Sequence, residues 1–173
     1  MKLLIALLFG CAAGFGQTVS LSFAGMTQAQ ITLNVNLSGS AGQNIAGIEF
    51  TLPVPVGSSI TTTSGGPASV GIAKGLSCAA GTVVTCLTSG LNTNTYSDGL
   101  VASLSISLPA VISTSPWTMP VVVASAAGGS VSVTVQTPQN LCQQLRSYRK
   151  THSWIASLPI TNAQKGQACK VGS

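Results

Sequence analysis

The chain has 173 residues, a formal net charge of +5 and only two acids, Glu49 and Asp98. That length suits one domain able to bury about 70% of its unfolded surface. High apolar content with few charges excludes a disordered chain, and two acids are too few for an ordinary calcium cage.

Lys2, the apolar run 3–9 and the small residues through Gly14 and Gly16 read as a secretory leader, residues 1–16, cleaved before Gln17. The run is shorter than the roughly 20 residues a bilayer span needs, and no later segment reaches that length unbroken, so no integral membrane span is expected. Leu8-Phe9-Gly10-Cys11 also resembles a lipobox, which would make Cys11 a lipid anchor. The two readings are a fully secreted protein and a surface lipoprotein.

From Gln17 the apolar residues recur with a period of two, the signature of half-buried strands. Val19, Leu21 and Phe23 alternate with serines; Ile31, Leu33, Val35 and Leu37 alternate with Thr32, Asn34 and Asn36. Ala46, Ile48, Phe50 and Leu52 form a third run, ended by Pro53 and Pro55, because proline cannot donate to a ladder. Weaker strands are predicted over 59–63, 70–73, 82–87 and 119–124. Leu100, Ala102, Leu104, Ile106 and Leu108 make a fourth strong run, and Val131, Val133 and Val135 a fifth. Turn signals at 38–40, 64–67, 97–99 and 127–129 separate them. Strands with one apolar and one hydroxyl-rich face stack apolar side to apolar side. The fold class is therefore all-β: a jelly-roll or Ig-like β-sandwich of about eight or nine strands over residues 17–138.

Past Pro138 the composition changes. Residues 139–173 carry five basic residues and no acid. Leu141, Leu145 and Tyr148 have the spacing of a short helix over 139–150. This basic extension reads as a cap on the sandwich, as a poorly ordered tail, or as the product of a shifted reading frame. After Cys11, four cysteines remain, an even number that in an exported chain implies disulfides. Each of the pairs Cys78–Cys86 and Cys142–Cys169 lies within one compositional region, which favours that connectivity. No CxxC occurs and His152 is the single histidine, so no metal site and no cofactor are expected.

The run Ile31-Thr32-Leu33-Asn34-Val35-Asn36-Leu37, a Gly/Ser loop and Ile45-Ala46-Gly47-Ile48-Glu49-Phe50-Thr51-Leu52 resemble the opening of cohesin modules. Gly99-Leu100-Val101-Ala102-Ser103-Leu104-Ser105-Ile106 is similar to their penultimate strand, and Val131 to Val135 to the last. The resemblance spans about residues 18–136. It implies a nine-stranded jelly roll, shared with cellulose-binding modules, in bacterial secreted or cell-surface systems that degrade polysaccharides, where cohesins bind dockerins. The chain departs from the pattern after Leu52, where Pro53-Val54-Pro55 replaces a Tyr-Asp-Pro-like turn.

Catalytic chemistry finds little to work with. Glu49 lies on the outward parity of its strand, and Asp98 sits in a Ser-Asp-Gly turn that uses its carboxylate for the backbone. A hydrolytic triad or a Cys142–His152 pair would depend on His152, and no G-x-S-x-G elbow occurs. No catalytic residue is assigned. Sugar binding uses exposed rings with nearby amides. Tyr96 follows Asn92-Thr93-Asn94-Thr95, and Trp117 lies between Pro116 and Thr118. Either ring is a platform if exposed and core if buried. Tyr96, Trp117, Asn92 and Asn94 are the candidate ligand-binding residues. The expected partner is a polysaccharide or a dockerin-like or other surface protein, not nucleic acid. The rival reading is a structural or adhesive module that self-assembles through exposed edge strands or through the tail.

Overall fold

A computed structural model describes residues 16–27, 30–54, 59–79, 81, 83–107, 112–113, 119, 121–136 and 160–161. The expected leader, Cys11, Trp117, the Cys142–Cys169 bridge and the helix over 139–150 lie outside the described residues.

In chain order the elements are β1 Gln17–Met26, β2 Gln30–Ser38, β3 Ile45–Pro53, β4 Ile60–Gly65, α1 Pro67–Val70, β5 Gly75–Ala79, β6 Val83–Ser89 and β7 Gly99–Ser107. They continue with β8 Ile112–Ser113, β9 Val121–Ser125, β10 Ser130–Val131, β11 Val133–Gln136 and β12 Ile160–Thr161. Among the described residues, one five-stranded sheet, sheet A, runs β11-β1-β2-β7-β4, and a second, sheet B, runs β10-β9-β3-β6-β5. β8 and β12 form a separate two-residue parallel pair. The predicted all-β sandwich is what the chain adopts.

The core lies between the sheets. Sheet A contributes Val19, Leu21, Ile31, Leu33, Val35, Leu37, Leu104 and Ile106, and sheet B contributes Ile48, Phe50, Leu52, Val84, Cys86 and Val123. β2 follows the predicted alternation residue by residue. Phe23, expected in the core, is half-buried and packs against it.

Two strong strands break parity. In β3 the register against β9 slips between Ile45 and Gly47, so Ile45 rather than Ala46 is fully buried. In β7 the pairing with β2 passes from Ala102 to Leu100, so Val101 becomes a bulge residue and is buried while Leu100 is only half-buried. A bulge adds one residue to one strand and inverts the faces beyond it.

The strand predicted over 70–73 is a correction. Residues 67–70 form the short helix α1 and residues 71–73 a turn. Gly66 is extended at φ −79°, and Pro67 follows at the first helical turn, where its missing N–H costs nothing. Gly66 is dictated by close approach, since a Cβ there would collide with the Leu100 carbonyl oxygen. Gly66 N donates to the Val101 carbonyl at 2.8 Å and Ser69 Oγ donates to it at 2.7 Å, which seats α1 on the end of β7. The next strand, β5, was not anticipated.

The last predicted strand also divides. Ser130 and Val131 pair with β9 in sheet B, whereas Val133 to Gln136 run parallel to Gln17 to Ser20 in sheet A. The chain crosses between sheets at Ser132 and closes one flank of the sandwich. Val131 and Val133 are half-buried and Val135 is exposed, so the three valines do not share one buried face.

Candidate binding surface

β5 and β6 form an antiparallel hairpin in which Cys78 stands directly opposite Cys86. Their sulfurs are bonded, with the Cα atoms 4.1 Å apart. Cys86 is buried beneath sheet B and Cys78 half-buried, so the bridge ties the edge strand β5 to the core.

Tyr96 was predicted as a candidate sugar platform. It is 4% exposed. Its N–H donates to the Ile45 carbonyl at 2.8 Å, and its hydroxyl donates to Thr88 Oγ1 at 2.7 Å. Thr88 Oγ1 in turn donates to the Ile48 carbonyl at 3.3 Å. This chain of bonds gives a buried hydroxyl partners on β6 and β3, as burial of a polar group requires. The ring packs in the core.

Asn92 and Asn94 are likewise engaged by the fold. Asn92 Nδ2 donates to the carbonyls of Ile72 and Ala73, both at 3.2 Å, and Asn94 Nδ2 donates to Ile72 at 3.2 Å. The Asn94 N–H donates to Asn92 Oδ1 at 3.1 Å. The buried Lys74 sends Nζ to the Asn92 carbonyl at 2.8 Å. At Gly90 a Cβ would come within 2.6 Å of the Ala73 carbonyl, so only glycine lets the loops close this tightly. Of the four candidate residues, Tyr96 is core, the two amides brace a loop, and Trp117 lies outside the described residues.

The acids are separated too. Asp98 accepts from Gly39 N–H at 3.0 Å, Ser40 N–H at 2.8 Å and Ser40 Oγ at 2.6 Å. The Ser40 hydroxyl, then the two backbone donors, hold its carboxyl below the ordinary carboxylate value, against a smaller opposing push from burial. It pins the β2–β3 loop to the β6–β7 loop. An open cleft of about 240 Å³, lined by Ser40, Gly42, Asn44, Tyr96 and Asp98 among others, lies between those loops. Among the described residues, no three His, Cys, Asp or Glu side chains group as a metal site.

Glu49 stands elsewhere, on the outer face of sheet B. There Glu49 pairs with Leu87, and Leu87 with Ser77 on β5. Leu87 is 42% exposed and Val83, four residues earlier on the same face of β6, is 50% exposed. Thr51, Thr85 and Ala79 fill the next row. Among the described residues, the exposed large aliphatic side chains of this face are Val83 and Leu87, and Glu49 adds a carboxylate. The sequence signal for it was Val83-Val84-Thr85-Cys86-Leu87, apolar on both parities where the other strands alternate.

The outer face of sheet A differs. Ser20, Ser22, Thr32, Asn34, Asn36, Ser103 and Ser105 occupy it in register. Asn36 Nδ2 donates to Ser22 Oγ at 3.1 Å, Ser22 Oγ to the Asn34 carbonyl at 3.4 Å, and the Thr32 and Ser105 hydroxyls bond at 3.5 Å. Among the described residues it displays no exposed large aliphatic side chain.

No family model matches the sequence, and no curated protein does either. Solved structures do match the fold. A non-cellulosomal cohesin from the hyperthermophilic archaeon Archaeoglobus fulgidus superposes with a TM-score of 0.57 at 14% identity, over 79% of this chain and 99% of that one. The third cohesin of ScaC from Acetivibrio cellulolyticus, solved in complex with the ScaB dockerin, gives a TM-score of 0.55 at 9% identity, over 69% and 94%. A type III cohesin of the ScaE cell-surface anchoring scaffoldin of Ruminococcus flavefaciens gives 0.50 at 14% identity, over 72% and 88%. By fold, then, this chain is a cohesin-like β-sandwich.

Proposed function

We propose that this chain is an exported, non-catalytic binding module that engages a dockerin-like partner protein through the outer face of sheet B. The observation that carries this reading is the pair Val83 and Leu87, exposed on the outer face of sheet B with Glu49 beside Leu87, within a cohesin-like sandwich. Exposed aliphatic groups on a rigid face lose water on docking, and a few such anchors supply most of an interface's energy. Strand pairing and the Cys78–Cys86 bridge hold the face in shape before the partner arrives, which limits the ordering cost of association. The bridge also suits the oxidising compartment to which a leader at 1–16 would deliver the chain.

The cohesin-like neighbour from Acetivibrio cellulolyticus was solved with a dockerin bound, which supports a dockerin as the first partner class to test. Polysaccharide, expected from Tyr96, Trp117, Asn92 and Asn94, is the alternative partner class. A polysaccharide-degrading or cell-surface setting remains a matter of analogy of fold.

Calorimetric titration against a panel of dockerins from secreted and surface proteins tests the proposal. Binding of at least one dockerin is expected. Leu87→Lys should weaken it by about 30-fold or more, the loss corresponding to a hot-spot residue of about 2 kcal/mol. Failure to bind across the panel, or full affinity in Leu87→Lys, would overturn it.

A further inference from the structure

The two flanks of the sandwich are unlike. On one side the chain crosses from β10 to β11 at Ser132, so the strands there belong to both sheets. β10 is two residues long, and β11 stops at Gln136, two residues before Pro138. On the other side, β4 ends sheet A and β5 ends sheet B, with no strand paired beyond either among the described residues. A groove of about 230 Å³ opens between them, lined by Ile60, Thr61, Thr62, Thr63 and Cys78.

β4 is the edge most open to a further strand. Thr63 pairs with Leu104, which places it on the inward parity, yet Thr63 is exposed while Leu104 is fully buried. The core side of β4 is thus uncovered at Thr63, while Ile60 still packs against the core. Exposed edges in monomeric proteins are usually blunted by lysine, proline or a covering segment, because their free N–H and C=O groups template pairing. Ile60-Thr61-Thr62-Thr63-Ser64-Gly65 carries neither charge nor proline. Its one blunting feature is a bulge at Thr61, and Thr62 to Gly65 pair regularly with β7 beyond it.

We infer that β4 pairs with the β4 of a second copy of this chain, antiparallel, about a two-fold axis near Thr62 and Thr63. Two identical strands meet antiparallel when a two-fold axis perpendicular to the sheet relates them. Sheet A then continues through both copies. Threonines face threonines, a favourable cross-strand pair for β-branched hydroxyl residues. An uncharged edge meets its own copy without like-charge repulsion. A second set of inward-facing Ile60 and Thr63 side chains comes over the groove and covers it. A six-residue edge buries less than a standard interface, so the dimer is of the weak kind that dissociates on dilution. This assembly is separate from partner binding by sheet B and leaves that face free.

Sedimentation velocity of the purified protein across a hundredfold range of concentration, joined to hydrogen exchange, tests the inference. The expected result is a monomer that becomes a dimer as concentration rises, with slower exchange over residues 61–65. Thr62→Lys places like charges across the two-fold and should raise the dimer dissociation constant at least tenfold. Thr62→Val should leave it unchanged or tighter, and both variants should keep the parent far-UV spectrum because Thr62 is exposed. Leu87→Lys should dimerise as the parent does, which separates this contact from the sheet B interface. A monomer at every concentration overturns the inference, as does a dimer indifferent to Thr62→Lys.

Discussion

The outer faces of the two sheets have the same geometry and nearly opposite surfaces. On sheet A the outward residues are serine, threonine and asparagine, several of them hydrogen-bonded to one another. On sheet B, Val83, Leu87 and Glu49 face outward, and Thr88 points its hydroxyl inward to Tyr96. On the first face several polar groups bond within the molecule. The other leaves aliphatic area in water, and such area is what association removes. The two outer faces thus differ in where large aliphatic side chains stand exposed.

The disulfide gives the largest expected difference between the sheets. The bridge closes a short loop, with a sequence separation of 8. Chain-entropy reasoning assigns such a loop about 2–3 kcal/mol. Replacing both cysteines by alanine should lower the stability measured by urea unfolding by about that amount. Native-state hydrogen exchange should then accelerate in β5 and β6 while β1 and β2 change little. Equal acceleration in both sheets would show that the bridge supports the core as a whole.

Tyr96→Phe comes next. It removes the hydroxyl donor to Thr88 and leaves a buried threonine oxygen with one partner fewer. A loss of about 1–2 kcal/mol in urea unfolding is expected.

A pair of surface variants sharpens the contrast directly. Asn36→Ala removes the bond to Ser22 on sheet A and should cost about 0.5–1 kcal/mol of stability without touching partner affinity. Leu87→Ala should do the reverse, changing stability by less than about 0.5 kcal/mol while weakening the partner. The two unfolding midpoints and two calorimetric titrations are the measurement. A partner weakened equally by both variants would move the docking face away from sheet B.

Structure set by neighbours along the chain is legible in the sequence. The alternation in Ile31 to Leu37 places each side chain on its face because a strand repeats every two residues. Structure decided by atoms far along the chain is not. The bulges that bury Ile45 and Val101 arise from pairing with β9 and β2, and no local pattern encodes them. α1 replaced an expected strand because Gly66 must pass close to Leu100, more than thirty residues on. Tyr96, set in a polar stretch, looked like a loop residue, but its burial follows from partners on β3 and β6. Leu87 and Val83 were visible as letters, yet their exposure depends on nothing covering that face.

Asp98 should give the smallest effect, and its sign can be worked out. The carboxylate accepts three hydrogen bonds from Gly39 and Ser40 in the folded chain, and these hold it below its ordinary value of 3.8. In the unfolded chain those donors are gone. The folded state therefore binds the proton less readily than the unfolded state, and the tie contributes in full above the ordinary value. The contribution falls away as pH drops from that value through the lowered folded one. Because the group is exposed, screening keeps the effect to about half a kcal/mol or less. Urea midpoints measured from pH 6 to pH 2.5 should fall more steeply in the parent than in Asp98→Asn, whose amide carries no charge to lose. Parallel curves would mean that the β2–β3 and β6–β7 loops are joined by their backbone bonds and not by this carboxylate.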